Sequence, residues 1–254
     1  MSKVFVIALN TFKETLRDRI FYNLLVFGLL LIVSALLLTS LSIGEHEKIL
    51  KDIGLGGMEL FGVLIAIFVG ITLISREIEK RTIYTVLAKP VHRYEFILGR
   101  SVGLSFTLLV NIVVMSAAFG FVLMTGHVMP DGGLLTAIGL IFVGQLVVMA
   151  IAVMFSTFTT PTLSAMFTLA IYVIGRLAGD LQTLSGKLAS GPGKLLLQGI
   201  YYILPNLADL NVKGQAVYGL PIDTAYVWQA IGYGIGYAVL FVALACAIFQ
   251  RRDF

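Results

Sequence analysis

Six stretches of the chain are nearly unbroken runs of apolar side chains: residues 21–43, 55–75, 101–124, 134–157, 161–178 and 224–249. Each approaches the ~20 residues that a helix needs to cross ~30 Å of hydrocarbon. A backbone amide in lipid has no water to pair with, so every run is predicted to be helical. Polar residues gather between the runs, in an acidic turn (44–54), a basic loop (76–100), a short loop (125–133), a tight turn at Thr157–Pro161 and a long segment (179–223). The N-terminal stretch is patterned differently. Phe5, Leu9, Phe12, Leu16 and Ile20 recur every three or four residues, with Asn10, Lys13, Glu14, Arg17 and Asp18 on the other face. That spacing predicts an amphipathic helix over 4–20, lying in the membrane interface and leading directly into the first span.

Composition narrows the class further. Of the 254 residues, 58% are apolar and 13% charged, against about 25% charged in soluble domains. Mean hydropathy is +0.96. Too few polar groups remain to cover a water-facing surface, and residues 1–254 are expected to form a single all-α integral membrane domain. The net charge of +4 invites a nucleic-acid reading, which the location of the charges removes. Lys3, Lys13, Arg17, Arg19, Arg76, Lys80, Arg81, Lys89, Arg93, Arg100, Arg251 and Arg252 fall on one side of the six runs. Only Lys48, Lys51, Lys187, Lys194 and Lys213 fall on the other, with Arg176 at a span end. The excess in short loops places both termini in the cytoplasm, so the basic balance reflects topology and no nucleic-acid partner is expected. No cleavable signal peptide is expected, because the first twenty residues are amphipathic and charged.

Candidate chemistry is sparse. Cys246 is the one cysteine, which excludes an intrachain disulfide and a thiolate metal cluster. His46, His92 and His127 lie in separate loops, no HExxH or GxSxG motif occurs, and no catalytic or metal site is expected. The GPGK at 191–194 is not a phosphate loop, since Leu188 stands where the first glycine belongs and Leu195 follows Lys194. The span interiors carry almost no ionisable groups. Glu59 and Arg176 are near outer ends, while Asn111 and Gln145 sit near the middle of the third and fourth spans. The two amides either tie helices together by hydrogen bonds or line a translocation path. Gly99 with Gly103, and Gly232 with Gly236, have the spacing of close helix contacts. In the long outer segment, Leu195–Leu204 is apolar but too short to span. Bracketed by Pro192 and Pro205, and with Tyr201 and Tyr202 at headgroup depth, it reads as a re-entrant helix or as a loop flat on the outer leaflet.

The basic loop is the most informative segment. Ile83, Val86, Leu87 and Pro90 fall at i, i+3, i+4 and i+7, a short amphipathic helix ending near Lys89–Pro90. Glu77 and Glu79 precede that stripe, and Arg81, Thr82, Thr85 and Lys89 face away from it. A loop that only fixes topology needs few residues. One of about 25 with a patterned helix is expected to dock a soluble partner.

The loop EIEKRTIYTVLAKPVHRYEFILGR (77–100), the interfacial N-terminal helix, the tight turn between the fourth and fifth spans, ILPNL at 203–207 and the terminal RRDF together resemble the membrane subunit of an ABC-2-type ATP-binding-cassette transporter. Within that family the chain looks most like the permeases grouped with the nitrous-oxide-reductase maturation system. The resemblance implies six transmembrane helices, an N-terminal elbow helix, a cytoplasmic coupling helix within 76–100 and an outer re-entrant segment within 179–223. It implies that Glu77, Glu79, Arg81, Thr82, Ile83, Leu87, Pro90 and Arg93 meet a separate cytoplasmic ATPase, which holds ATP and Mg, while this chain holds no cofactor. A second copy of the chain, or a similar permease, completes the complex in a prokaryotic inner membrane, and the resemblance implies an exporter. The rival expectation is a non-transport membrane scaffold that recruits a cytoplasmic protein through the same loop.

Overall fold

A computed structural model describes residues 3–40, 45–79, 92–179, 183, 199 and 204–251, without the side chains of Ser40 and of 73–79. Among the described residues the regular structure is entirely helical. The helices are α1 (Lys3–Thr15), α2 (Arg19–Ser40), α3 (His46–Glu79), α4 (Arg93–Thr125), α5 (Gly132–Ser156), α6 (Pro161–Arg176), α7 (Lys213–Val217) and α8 (Thr224–Arg251), with a 3-10 turn at Leu207–Leu210. Five of them, α2, α3, α4, α5 and α8, are long and apolar enough to cross a membrane. The fifth expected span, 161–178, is the shorter α6 of 16 residues, about 24 Å long at 1.5 Å per residue.

Three boundaries differ from the sequence expectation. The interfacial helix does not run to residue 20. It stops at Thr15, and Asp18 then accepts a hydrogen bond from the Ile20 amide at 2.9 Å, starting α2 afresh. The acidic stretch 44–54 is largely the first turns of α3, where Glu47 and Lys51 pair one turn apart at 2.6 Å. The polar stretch after His92 is the start of α4, whose Glu95 carboxylate accepts from the His92 amide at 2.9 Å. Charged residues at helical spacing were read as loop because hydropathy alone marks only the lipid-embedded part of a helix.

At the centre of the bundle α3 packs on α5. On one side α2 lies against α3, and on the other α8 lies against α5, while α4 touches all four. The α5 sequence is apolar around its whole circumference, as a helix enclosed by others must be, and Val147–Val153 is buried without a break. Asp131 caps α5 by accepting from the Leu134 amide at 2.9 Å, and the same carboxylate meets the buried Lys51 of α3 at 3.1 Å. Pro161 opens α6, where its missing amide hydrogen costs nothing.

The N-terminal helix turns an unexpected face to the protein. Ala8, Thr11 and Thr15 are buried against α4, whereas Phe5 and Leu9 of the predicted apolar stripe are exposed. The contact depends on Gly99 and Gly103. A Cβ on Gly103 would lie 2.5 Å from the Ala8 carbonyl oxygen, and one on Gly99 would lie 2.7 Å from Ile7. Arg100, between them, is buried and meets Glu14 of α1 at 2.9 Å. Gly232 and Gly236 have the same spacing but face no described atom within 4 Å.

Replacing Gly103 by Val therefore forces α1 off α4. The expected loss is about 1–3 kcal/mol, the usual cost of overpacking, read by detergent titration with helicity followed by circular dichroism. The same change at Gly232 is expected to leave the unfolding curve in place.

Candidate functional site

Gln145 and the charges of Glu59, Arg176 and Lys213 converge on one region, in the half of α3 away from the 80–92 connection. Gln145 of α5 is fully buried, and its Nε2 donates to the carbonyl oxygen of Met58 on α3 at 3.1 Å. One turn beyond Met58, Gly62 leaves the space that the amide fills, since a Cβ there would fall 1.8 Å from Gln145 Nε2. Gln145 is thus a hydrogen-bonded wedge between the two central helices. Its Oε1 has no partner among the described residues, and neither does either amide atom of the buried Asn111 on α4. Both amides point into the bundle of a single chain rather than onto its surface.

Next to Gln145 stands Glu59, one residue past Met58 on α3. Its carboxylate meets Arg176 Nη2 of α6 at 2.8 Å and Lys213 Nζ of α7 at 2.5 Å, and accepts from the Tyr172 hydroxyl at 3.2 Å. These charges are mostly removed from solvent, with side-chain exposures of 12% for Glu59, 22% for Arg176 and 19% for Lys213. One carboxylate opposite two cations leaves the cluster with a net positive charge. A cavity of about 20 Å³ opens between Glu59, Gln145, Tyr172, Arg176 and Asn211. That is room for one water, and Gln145 is among the residues that line it.

The segment before α8 is drawn into the cluster. Gly175 of α6 lets the Pro205 carbonyl approach, where a Cβ would sit 2.6 Å from that oxygen. The Asn206 amide donates to the Tyr233 hydroxyl at 2.7 Å, and the Tyr226 hydroxyl donates to the Asp209 carbonyl at 2.7 Å. Leu207 and Leu210 are buried below them. Residues 204–217 therefore form a cap, fastened to α8 by tyrosines and to α3 through Lys213. The re-entrant stretch expected over 195–204 lies almost wholly outside the described residues.

The docking residues predicted from the loop are placed only in part. Glu77 and Glu79 belong to α3, and Arg93 is the first residue of α4, with Nη1 3.4 Å from the Gln250 carbonyl of α8. Of the loop read from the sequence, 76–79 lie in α3 and 93–100 in α4, and 80–91 lie outside the described residues. Arg81, Thr82, Ile83, Leu87 and Pro90 lie outside the described residues. Sequence reasoning noted Glu59 and Arg176 as separate charges and counted Lys213 only toward topology. Opposite charges at the same end of two apolar runs were the available signal for their pairing.

A helical bundle with this element order is matched over residues 5–254 by the family model described as ABC-2 family transporter protein. The chain belongs to that family. It is an ABC transporter permease, a multi-pass membrane component of a transport system. A search among curated proteins finds no match.

In this permease, Glu59→Gln leaves Arg176 and Lys213 facing each other without their counter-ion. Breaking a buried pair from one side costs about 3–5 kcal/mol; the partial exposure here reduces the expected loss to about 2 kcal/mol. Glu59→Gln/Arg176→Gln is expected to regain part of it. Detergent-titration unfolding of the wild type, the single and the double variant checks this; equal curves for all three would show that the cluster is not a clamp.

Proposed function

We propose that this ABC-2 chain forms the translocation path of an ATP-driven exporter and is worked by a separate cytoplasmic ATPase docked at the 80–92 connection. In this reading the chain crosses a prokaryotic inner membrane six times, with α6 as the fifth crossing and both termini in the cytoplasm. The ATPase holds ATP and Mg, and this chain contributes no cofactor. A second copy, or a similar permease, supplies the other wall of the path. The pattern of Glu77, Glu79, Arg81, Thr82, Ile83, Leu87, Pro90 and Arg93 supports their contact with the ATPase, and it also supports a place beside the permeases of nitrous-oxide-reductase maturation.

The observation that carries the reading, beyond the family match, is the length of the two helices that flank the connection. Helices α3 and α4 have 34 and 33 residues, about 50 Å each, against ~30 Å of hydrocarbon. They leave the membrane as continuous rods and reach the connection without a break. The same rods carry Met58, Glu59 and Gly62 at the outer cluster, and Gly99, Arg100 and Gly103 under α1. A displacement imposed at residues 80–92 is thereby transmitted to the clamp about 30 Å away along α3 and to the N-terminal helix along α4. The drive is the difference in ATPase affinity between two states of the permease, since a ligand shifts an equilibrium only by its differential binding. In the state in which α3 and α5 part, Asn111 and Gln145 become available to the path.

Charge reversal at the connection tests this directly. Glu79→Lys and Arg81→Glu are each expected to weaken ATPase binding about tenfold, or ~1.4 kcal/mol, and to abolish permease-stimulated ATP hydrolysis in proteoliposomes. Unchanged co-purification and stimulation would refute the docking role. Retained binding without any coupling of hydrolysis to transport would favour the scaffold instead.

A further inference from the structure

Helix α8 leans on two helices in turn. Toward its C-terminus it packs on α4, where Phe249 stacks on Phe96 with ring centroids 6.0 Å apart. Toward its N-terminus it packs on α5, where Gly234 lies so near Val143 that a Cβ would fall 2.3 Å from Cγ1. Between those contacts the three helices leave a cavity of about 350 Å³. Its floor includes Ser101, Met149 and Ala150, all buried, and its rim includes the exposed Val102 and Val239. Small residues create the space: Ala238 and Ala243 on α8 face Ser101 and Ser105 on α4.

The lining defines the chemistry of an occupant. Ser101 and Ser105 donate their hydroxyl protons to the carbonyls of Ile97 and Ser101 on their own helix, each at 2.9 Å. Their protons are therefore already engaged, and the remaining lining is apolar. The groove follows α8 from Ile235 to Ala243, about 12 Å at 1.5 Å per residue. The space is a groove open along its rim, where the exposed Val102 and Val239 border it. A single hydrocarbon chain does fit, and the volume lies in the range of small-ligand sites, ~300–1,000 Å³. Arg93 and Arg251 stand at the helix ends below the groove, each about 12 Å from Ser101 or Ala243 along its helix. That separation places them at headgroup level when the groove lies within the adjacent leaflet, and their positive charge complements a lipid phosphate.

We propose that this groove between α4, α5 and α8 holds one acyl chain of an anionic phospholipid, with its headgroup at Arg93 and Arg251. The site is separate from the ATPase connection and from the Glu59 cluster, and it makes one lipid a bound component of the permease.

The test uses the full-length chain, in its complex, reconstituted with phosphatidylglycerol carrying a diazirine in the acyl chain. The sample is then extracted into mild detergent, freed of unbound lipid, irradiated and mapped by peptide mass spectrometry. Labelling is expected to be severalfold higher on 98–105 and 235–243 than on the exposed Val33 and Leu37 of α2. Ala243→Phe and the separately made Ala238→Phe fill the rim and are expected to remove that labelling, while Val33→Phe keeps it. A phosphatidylcholine probe is expected to be retained severalfold less, a difference that Arg251→Gln narrows. Even labelling over all exposed faces, an unlabelled groove, indifference to both filling variants, or equal retention of the two lipids would each overturn the proposal.

Discussion

The contact between α3 and α5 sets the rest of the bundle. In hydrocarbon, helices gain little from burying one apolar side chain against another, because lipid is equally apolar. They associate where backbones come close and where polar groups find each other. Gly62 brings α3 close to α5, and the Gln145 amide fills the gap and reaches the Met58 carbonyl. Farther along, Gly70 admits Ala152, whose Cβ would lie 3.3 Å from an added Cβ. With these two helices fixed, α2, α4 and α8 have defined surfaces to cover, and α1 has a glycine-lined track across α4.

Charge is distributed around that core by the same economy. Isolated ions are expensive away from water, and the buried cations here each face a carboxylate from another element: Lys51 faces Asp131, and Arg100 faces Glu14. Around Glu59 the arrangement extends to three elements, α3, α6 and α7. These pairs are anchors between helices whose apolar faces alone would leave their register weakly specified. They also identify where movement has a cost. Separating α3 from α6 breaks the Glu59 contacts, whereas sliding α1 along α4 encounters Gly99, Gly103 and Arg100.

Much of this was visible in the sequence where a single physical rule dominates. The extents of α5 and α8 and the sharp turn before Pro161 follow from apolar length and proline geometry, and the structure differs there by two residues or fewer. Helix starts beyond the membrane were not visible. His46–Gly54 and Arg93–Arg100 carry charges at helical spacing, but hydropathy treats them as loop. The amphipathic stripe of α1 was read correctly as a pattern, yet the face against the protein is Ala8, Thr11 and Thr15, because Gly99 and Gly103 let the α1 backbone come close to α4 there. Gln145 stood out as a mid-span amide with two readings, and its bond to Met58 accords with the tie between helices. The Glu59 cluster required knowing that residues 117 positions apart meet, which no local pattern encodes.

The central claim is that the connection between α3 and α4 faces the compartment of the ATPase while the opposite end of the bundle faces away from it. Single-cysteine labelling in a Cys246→Ser background measures this directly, with a membrane-impermeant maleimide applied to vesicles of known sidedness. Thr85→Cys is predicted to react only from the cytoplasmic side, and Met129→Cys only from the other. Reaction of Thr85→Cys from the outer side would contradict the account.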